Sequence, residues 1–529
     1  MCGILGVLNP EHSNDIDSDF YRGQYFYRGQ SRGPDHSTMI EHMNTILGFH
    51  RLAINGLTSL SNQPLSIQDC ILICNGEIYN YKELYQQIGV IPTTESDCEI
   101  ILHLYLKYGM EHTLHVLDSS EFAFILIDST KKEVYVARDP YGVRPLYQSI
   151  HHNTHSFASV VKMISSGTVT MFPAGHCTKY IWDDLWVQDE QFRYTTLPCI
   201  SKIPMNYDEQ IRAALTAAVY KRIQCTEQPM ACLLSGGLDS SIITCLVHQC
   251  RKNLGYTEPL ETYSIGMKGS PDLEYAEKVA AFLGTKHTSI VVSEDEFFDS
   301  IPDVIYHIES YDTTTVRASV GNYLVSKYIR ENSQAKVIFN GDGADEVTGG
   351  YLYLHRCPNA LEFDKECRRL VDNIQYFDAL RSDKCIASNG LESRTPFLDR
   401  AFVQMYLSIP AHARLPQGIE KYLLRHAFKN YLPSEIIWRK KEAFSDGVSS
   451  IHNSWYQVIQ HKLTPDIQNA FRTFYTEHNQ PTTVEQYYYR SLFDSFFPHA
   501  EQVVPYYWMP KYTTSTDCSA RTLEVYAQV

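Results

Sequence analysis

The chain has 529 residues, 44% hydrophobic and 20% charged, with a formal net charge of −15. That length predicts two or more domains, the acid excess argues against nucleic acid as the main partner, and no apolar run reaches the roughly eighteen residues of a membrane span. Fourteen scattered cysteines without a CxxC pair predict neither a disulfide framework nor a zinc site and, with no secretory leader, point to the reducing cytoplasm.

The chain opens Met1-Cys2-Gly3-Ile4-Leu5-Gly6-Val7, an apolar strand. Removal of the initiator methionine would leave Cys2 first, with a thiol and a free α-amine on one residue. The amine, with a reference pKa of ~7.7–8.0, can serve as the base that an isolated thiol lacks; a frayed terminus with an incidental cysteine is the plain alternative. A helical stretch around Phe20–Tyr27 leads to a turn at Arg32-Gly33-Pro34-Asp35 and a strand over 46–54. Arg51 in that strand either meets an anion or faces water at the strand's end. The strand 71–74 runs into Asn75-Gly76-Glu77, which reads as a two-residue hairpin turn or as an oxyanion hole, one donor of which is worth about 3–4 kcal/mol. Glu95–Glu99, containing Asp97, opens a helix through Tyr108, and strands follow over 122–127 and 133–137. The His151, His152 and His155 group reads as a solvated loop. Strands plus two helices in about 190 residues make a layered α+β domain.

After a last strand, residues 191–206 read as a linker through Pro198 and Pro204, and from Tyr207 the period turns helical. Met230–Leu234 is a buried strand, Ser235-Gly236-Gly237-Leu238-Asp239-Ser240-Ser241 a glycine loop, and 242–250 an apolar helix. Strand, glycine loop and helix N-terminus can cradle phosphate, although the serines can also be simple caps. An alternating strand–helix rhythm continues to Asn340-Gly341-Asp342-Gly343-Ala344-Asp345-Glu346, predicting a parallel sheet with helices on both faces and ligands at the strands' carboxyl ends. Asp239 and Asp345 there can hold one Mg²⁺ or be solvated turn residues. Residues 207–510 form this second domain, its later part mostly helical, and 511–529 read as a loose tail.

MCGI, RGPD, RLAI, NGEIYN and RDPYG over residues 1–190 resemble the class II (N-terminal-nucleophile) glutamine amidotransferase domain, a layered αββα fold. The resemblance implies that Cys2 forms a thioester with glutamine, Asn75 and Gly76 hold the oxyanion, Arg51 takes the substrate carboxylate, and Glu77 and Asp97 take its ammonium, with Leu52, Ala53, Ile54 and Asn55 completing the site. SGGLDSS resembles the loop of AMP-forming ATP pyrophosphatases. Together with the segments at Gly269, Asp303, Arg317, Gly349, Arg394 and Lys441, the chain resembles the glutamine-hydrolysing asparagine synthetases over about residues 1–510. That implies ATP, L-aspartate and L-glutamine as substrates and Mg²⁺ as cofactor. ATP would lie against Leu234, Ser235, Gly236, Gly237, Asp239, Ser240, Ile265, Asn340 and Gly341, with Lys441 acting on the phosphates, and a homodimer is the usual assembly. The family's usual Ser-Gly-Glu loop reads Asn340-Gly341-Asp342 here, one methylene shorter, which predicts an active but slower adenylating step. Ser120 and Val160 also depart from the family pattern. Other amidotransferases lack SGGLDSS, a β-lactam synthetase usually lacks the terminal cysteine, and a non-catalytic binding protein is the remaining rival.

Overall fold

The computed structural model describes residues 1–10, 24–117, 121–200, 206–415 and 418–527. Its first half is two stacked six-stranded antiparallel sheets. One is built from β1 (Gly3–Leu8), β2 (His36–His42), β3 (Thr45–Arg51), β8 (Tyr147–His151), β9 (Thr154–Ala158) and β10 (Thr168–Met171), in the order β10-β8-β9-β1-β3-β2. The other contains β4 (Leu65–Ile67), β5 (Cys70–Glu77), β6 (Glu121–Asp128), β7 (Glu133–Arg138), β11 (His176–Asp183) and β12 (Leu185–Arg193), in the order β12-β11-β7-β6-β5-β4. Alternation along β1 explains the stacking. Ile4 and Leu8 face Ile73, Ile125 and Val136 of the second sheet, while Leu5 and Val7 face the chain's second half, in one core with Ile305, Ile308 and Ile386. A side chain at Gly6 would meet Ile125 Cδ1 at 2.2 Å, so glycine sets how closely the sheets approach. The helices Tyr81–Ile88 and Ile100–Tyr108 cover the second sheet's outer face.

The second half carries a five-stranded, wholly parallel sheet: β13 (Met230–Leu233), β14 (Glu261–Met267), β15 (Lys286–Val292), β16 (Val337–Phe339) and β17 (Glu392–Arg394), ordered β15-β14-β13-β16-β17. The chain winds outward from β13 to β15, then returns to the other side of β13. The reversal point therefore lies between the carboxyl ends of β13 and β16, where such sheets bind ligands.

Several expectations are corrected. Asn75-Gly76 is no hairpin turn: β5 runs straight through it, with Asn75 opposite Ala123 and Gly76 opposite Phe122. Residues 180–193 form a hairpin of β11 and β12 rather than one strand and linker. The expected helix around Phe20–Tyr27 lies partly outside the described residues; a 3₁₀ helix spans Phe26–Arg32. His151 and His152 sit at a hairpin turn, but His155 is in β9 against the Tyr180 ring. Ser120 lies outside the described residues, and Val160 is buried where the halves meet. The expected loose tail is packed: Leu523 and Val525 join the core, and short 3₁₀ turns span Ala520–Thr522 and Glu524–Ala527. No described helix is long and apolar enough to cross a membrane.

Candidate active sites

β1 and β3 bring the first site together. Gly3 pairs with His50, so Cys2 stands beside Arg51 and the loop that follows it. The Cys2 thiol points at the Leu52 carbonyl, 3.8 Å away, and burial pushes it up to about 11. The chain's amine belongs here to Met1; it lies 3.7 Å from Glu392 and is held below its ordinary value by burial. With Met1 in place the thiol thus has no base of its own.

Arg51 is buried and does not face water. Its guanidinium donates to the carbonyls of Thr58 (2.8 Å), Asn55 (3.4 Å) and Gly56, and to Asn62 Oδ1 (2.6 Å), so it is held in place with no carboxylate bonded to it among the described residues. Asp35 of the Arg-Gly-Pro-Asp turn receives the Ala53 N–H at 2.8 Å. The Asn75 side chain is fully buried, and neither its oxygen nor its nitrogen has a hydrogen-bond partner among the described residues. A side chain at Gly76 would meet the Glu121 carbonyl at 2.5 Å, so the glycine serves close strand approach. Glu77 receives Asn55 Nδ2 at 2.7 Å, and Asp97 receives the Ile78 N–H at 2.6 Å. Burial, and then the charge of Asp97, raise Glu77 well above the carboxylate range. Burial pushes Asp97 up to about 6. Glu77, Asp97 and Cys225 have ligand atoms within 4.8 Å of one another, and a cluster with two buried acids suits an ammonium group.

The second half closes on this site. The Glu227 N–H donates to the Ile54 carbonyl (3.1 Å), Gln228 Nε2 donates to the Ala53 carbonyl (2.8 Å), and the Gly56 N–H donates to Glu227 (2.7 Å). Arg394 of β17 lies 3.4 Å from Glu77.

The second site fills the reversal point of the parallel sheet. Leu234, Ser235, Gly237, Asp239, Ser240, Ile265, Asn340, Gly341, Asp342, Asp345 and Lys441 all line one cavity. Gly236 does not line it: with φ +69°, a Cβ there would lie 2.4 Å from the Ala276 N, so this glycine lets the loop pass close against the helix Pro271–Leu283. The serines are not caps. Gly237 caps the helix Leu238–Asn253, and Ser240 Oγ folds back to the Ser235 N–H (3.2 Å). The helix's N-terminal N–H groups therefore face the cavity free of side-chain caps. A Cβ on Gly341 would meet the Ser240 N at 2.9 Å, which locks the two loops together. Asn340 is committed to the protein, donating to Ser382 and Ser393 at 2.8 and 3.0 Å.

Three residues here, Lys421, Arg381 and Arg439, were given no role from the sequence, and they stand beside the expected Lys441. Lys421 bridges Asp239 (2.6 Å) and Asp345 (2.5 Å). Arg381 holds Asp342 at 2.8 Å. Arg439 pairs with Asp272 at 2.6 Å and donates to the Ser235 carbonyl at 3.3 Å. Lys441 lies 2.7 Å from Asp345. For Asp345, burial is outweighed by Lys421 and Lys441, which hold it below the carboxylate range. Asp342, where burial outweighs Arg381, is raised, and its Oδ2 is buried without a hydrogen-bond partner among the described residues. Asp239 and Asp345 converge tightly enough to share one lysine, and Asp239 Oδ1 is a buried acceptor with no hydrogen-bond partner among the described residues; the donor chemistry of this all-oxygen pair fits Mg²⁺.

Residues 1–192 match the family described as "Glutamine amidotransferase domain", and 210–365 with 357–519 match "Asparagine synthase". An asparagine synthetase [glutamine-hydrolyzing] of Gallus gallus is 39% identical over 565 aligned positions, covering 99% of each chain. Those of Rattus norvegicus and Homo sapiens are 39% and 38% identical, covering 94% of each chain. A solved phosphoribosylpyrophosphate amidotransferase from B. subtilis aligns over 55% of this chain and 81% of its own at 16% identity, with a TM-score of 0.32, too low to carry an argument.

Proposed function

The chain belongs to the asparagine synthase family, and from that premise we propose which residues carry its two reactions. The enzyme converts ATP, L-aspartate, L-glutamine and water to AMP, pyrophosphate, L-asparagine and L-glutamate. Residues 1–193 form the glutaminase domain, 194–206 the linker and 207–510 the synthetase domain, to which the packed segment 511–527 is added.

In the first domain the Cys2 thiol attacks the glutamine amide once Met1 is gone, with its own amine taking the proton. Asn75 Nδ2 and the Gly76 N–H receive the negative oxygen of the tetrahedral intermediate. Glu77 and Asp97 hold the substrate ammonium, and Arg51 takes its carboxylate. Ammonia leaves, and water hydrolyses the thioester to glutamate.

In the second domain the aspartate side-chain carboxylate attacks the α-phosphorus of ATP, and pyrophosphate departs. Backbone N–H groups of 235–240, with Lys441 and Lys421, neutralise the phosphate charge; the step is mainly positioning and electrostatics. Asp239 and Asp345 would hold Mg²⁺, which adds charge neutralisation when bound. Asp342, oriented by Arg381, acts at the adenylating step. Ammonia then attacks the activated carbonyl and AMP leaves. The fourteen free thiols support a cytoplasmic location, and the family resemblance supports a homodimer.

The observation that carries this reading is the convergence of Asp239, Asp342, Asp345 and Lys441, from three distant segments, on one cavity. Aspartate-dependent exchange of labelled pyrophosphate into ATP tests it. Exchange should persist in Cys2→Ala and disappear in Lys441→Ala; a parent enzyme without exchange would be a binding protein instead.

A further inference from the structure

Lys441 sits in a segment that has little to hold it. Residues 440–443 have no regular secondary structure, and among the described residues the main chain of Lys440, Lys441 and Glu442 makes no hydrogen bond. A four-residue stretch of this kind ordinarily samples many conformations. Yet the Lys441 ammonium must reach Asp345 and the phosphates to within a few tenths of an ångström to be useful.

The segment is held instead by the last residues of the chain, and the contacts bracket Lys441. On one side, Lys440 donates its ammonium to the Tyr526 carbonyl and lies 3.9 Å from the centre of the Tyr526 ring. On the other side, Glu442 accepts from the Tyr526 hydroxyl and from Arg521 Nε (3.3 Å). One tyrosine thus grips both neighbours of Lys441. Arg521 is anchored by the Ser450 carbonyl (2.8 Å) and Ser454 Oγ (3.0 Å). Ser519 Oγ and the Ala520 N–H donate to Asp446 at 2.6 and 3.0 Å. The strap is itself fixed upstream, where Arg317 pairs with Asp517 at 2.8 Å. Arg317 lies on the helix Thr313–Asn332, which also lines the nucleotide cavity through Ala318 and Asn322.

From this arrangement we infer that Tyr526 and Arg521 are positioning residues for the adenylating reaction: the C-terminal strap replaces the missing main-chain hydrogen bonds of 440–442 and aims Lys441 at the phosphates. The inference rests on the assignment of Lys441 to the synthetase site. It explains why buried polar contacts concentrate on a segment that touches neither substrate cavity. The strap orders a lysine whose contribution is needed most when charge moves onto the departing pyrophosphate. Loosening it should therefore lower kcat while leaving KM for ATP nearly unchanged.

The test uses the full chain with Tyr526→Ala, Tyr526→Phe, Glu442→Ala, the double variant Tyr526→Ala/Glu442→Ala, and Lys441→Ala. The readouts are aspartate-dependent ATP–pyrophosphate exchange and, on the same samples, glutaminase activity as a control for folding. Tyr526→Ala should lower exchange kcat about 10- to 100-fold, with KM for ATP within threefold and glutaminase activity within twofold of the parent. Tyr526→Phe, which loses only the hydroxyl contact, should fall between. The double variant should lose less than the product of the two single losses, because Tyr526 and Glu442 share the hydroxyl contact. Parent-like exchange in Tyr526→Ala, alongside a Lys441→Ala variant without exchange, would overturn the strap and leave the site intact. Full exchange in Lys441→Ala would overturn the site assignment, and the inference with it. Equal losses of exchange and glutaminase activity in Tyr526→Ala would show a folding defect and also overturn it.

Discussion

Asn75 is buried with both ends of its amide unsatisfied, an arrangement that costs about 1–3 kcal/mol per group unless a ligand completes it. A developing oxyanion would do so. Asn75→Ala should therefore lower glutaminase kcat about 100- to 1000-fold with no loss of unfolding free energy in urea; a destabilised but active variant would mark the residue as structural. Asp97 gives a pH dependence. An acid pushed from 3.8 up to about 6 adds stability below its unfolded value, and this is lost as pH rises through about 6. Glutamine's ammonium has the opposite preference, for the anion. In Cys2→Ala protein, calorimetric affinity for glutamine should weaken towards tenfold per pH unit below about 6, and Asp97→Asn should remove most of that slope. At Asp342, Asp342→Glu should exchange pyrophosphate at least as fast as the parent; a slower variant would show that Arg381 has adapted the loop to the shorter acid. Cys2, Asn75, Asp239 and Lys441 were legible because each sits in a compact motif. Lys421 and Arg381 were not, because each reaches the cavity from a segment whose local sequence looks like any solvated helix end.

Strands β13, β14 and β16 were legible because each runs into a loop with a glycine at positive φ, Gly236, Gly269 and Gly343. Gly236 is the sharpest case: Gly236→Ala should cost about 1–3 kcal/mol of stability and, by shifting the phosphate loop, about 100-fold or more in exchange, while glutaminase activity survives. Unchanged exchange kinetics in that variant would mean the loop does not touch ATP. The Leu185–Arg193 strand was hidden because only Trp186 along it is buried, so no alternation marks it. The three-residue β17 was hidden because a short, fully buried strand has no period at all. At Asn75-Gly76 two readings stayed open, since a hairpin signature and a glycine needed for close strand contact look the same in one dimension.

Across the whole molecule, the halves are joined by buried charge. Glu121 pairs with Arg222, Arg32 with Asp383 and Arg394 with Glu77, and Glu309, itself paired with Lys384, receives the Val161 and Lys162 N–H groups. Two of these sets touch the glutaminase pocket, and β17 itself pairs with β16, whose end carries the Asn340 loop. Deleting one member of such a set leaves an uncompensated buried charge, so Arg394→Met should cost about 3–5 kcal/mol and weaken both activities together. The pairings between the halves join residues too far apart in the chain for local sequence to match them. The coupling of the two sites is the central claim, and glutamine labelled with ¹⁵N in its side-chain amide tests it most directly. With ATP and aspartate, the parent should place the label in asparagine, even against unlabelled ammonia. Cys2→Ala should make only unlabelled asparagine, from that ammonia. Label in asparagine from Cys2→Ala, or a parent that releases all its label to solvent, would contradict the account.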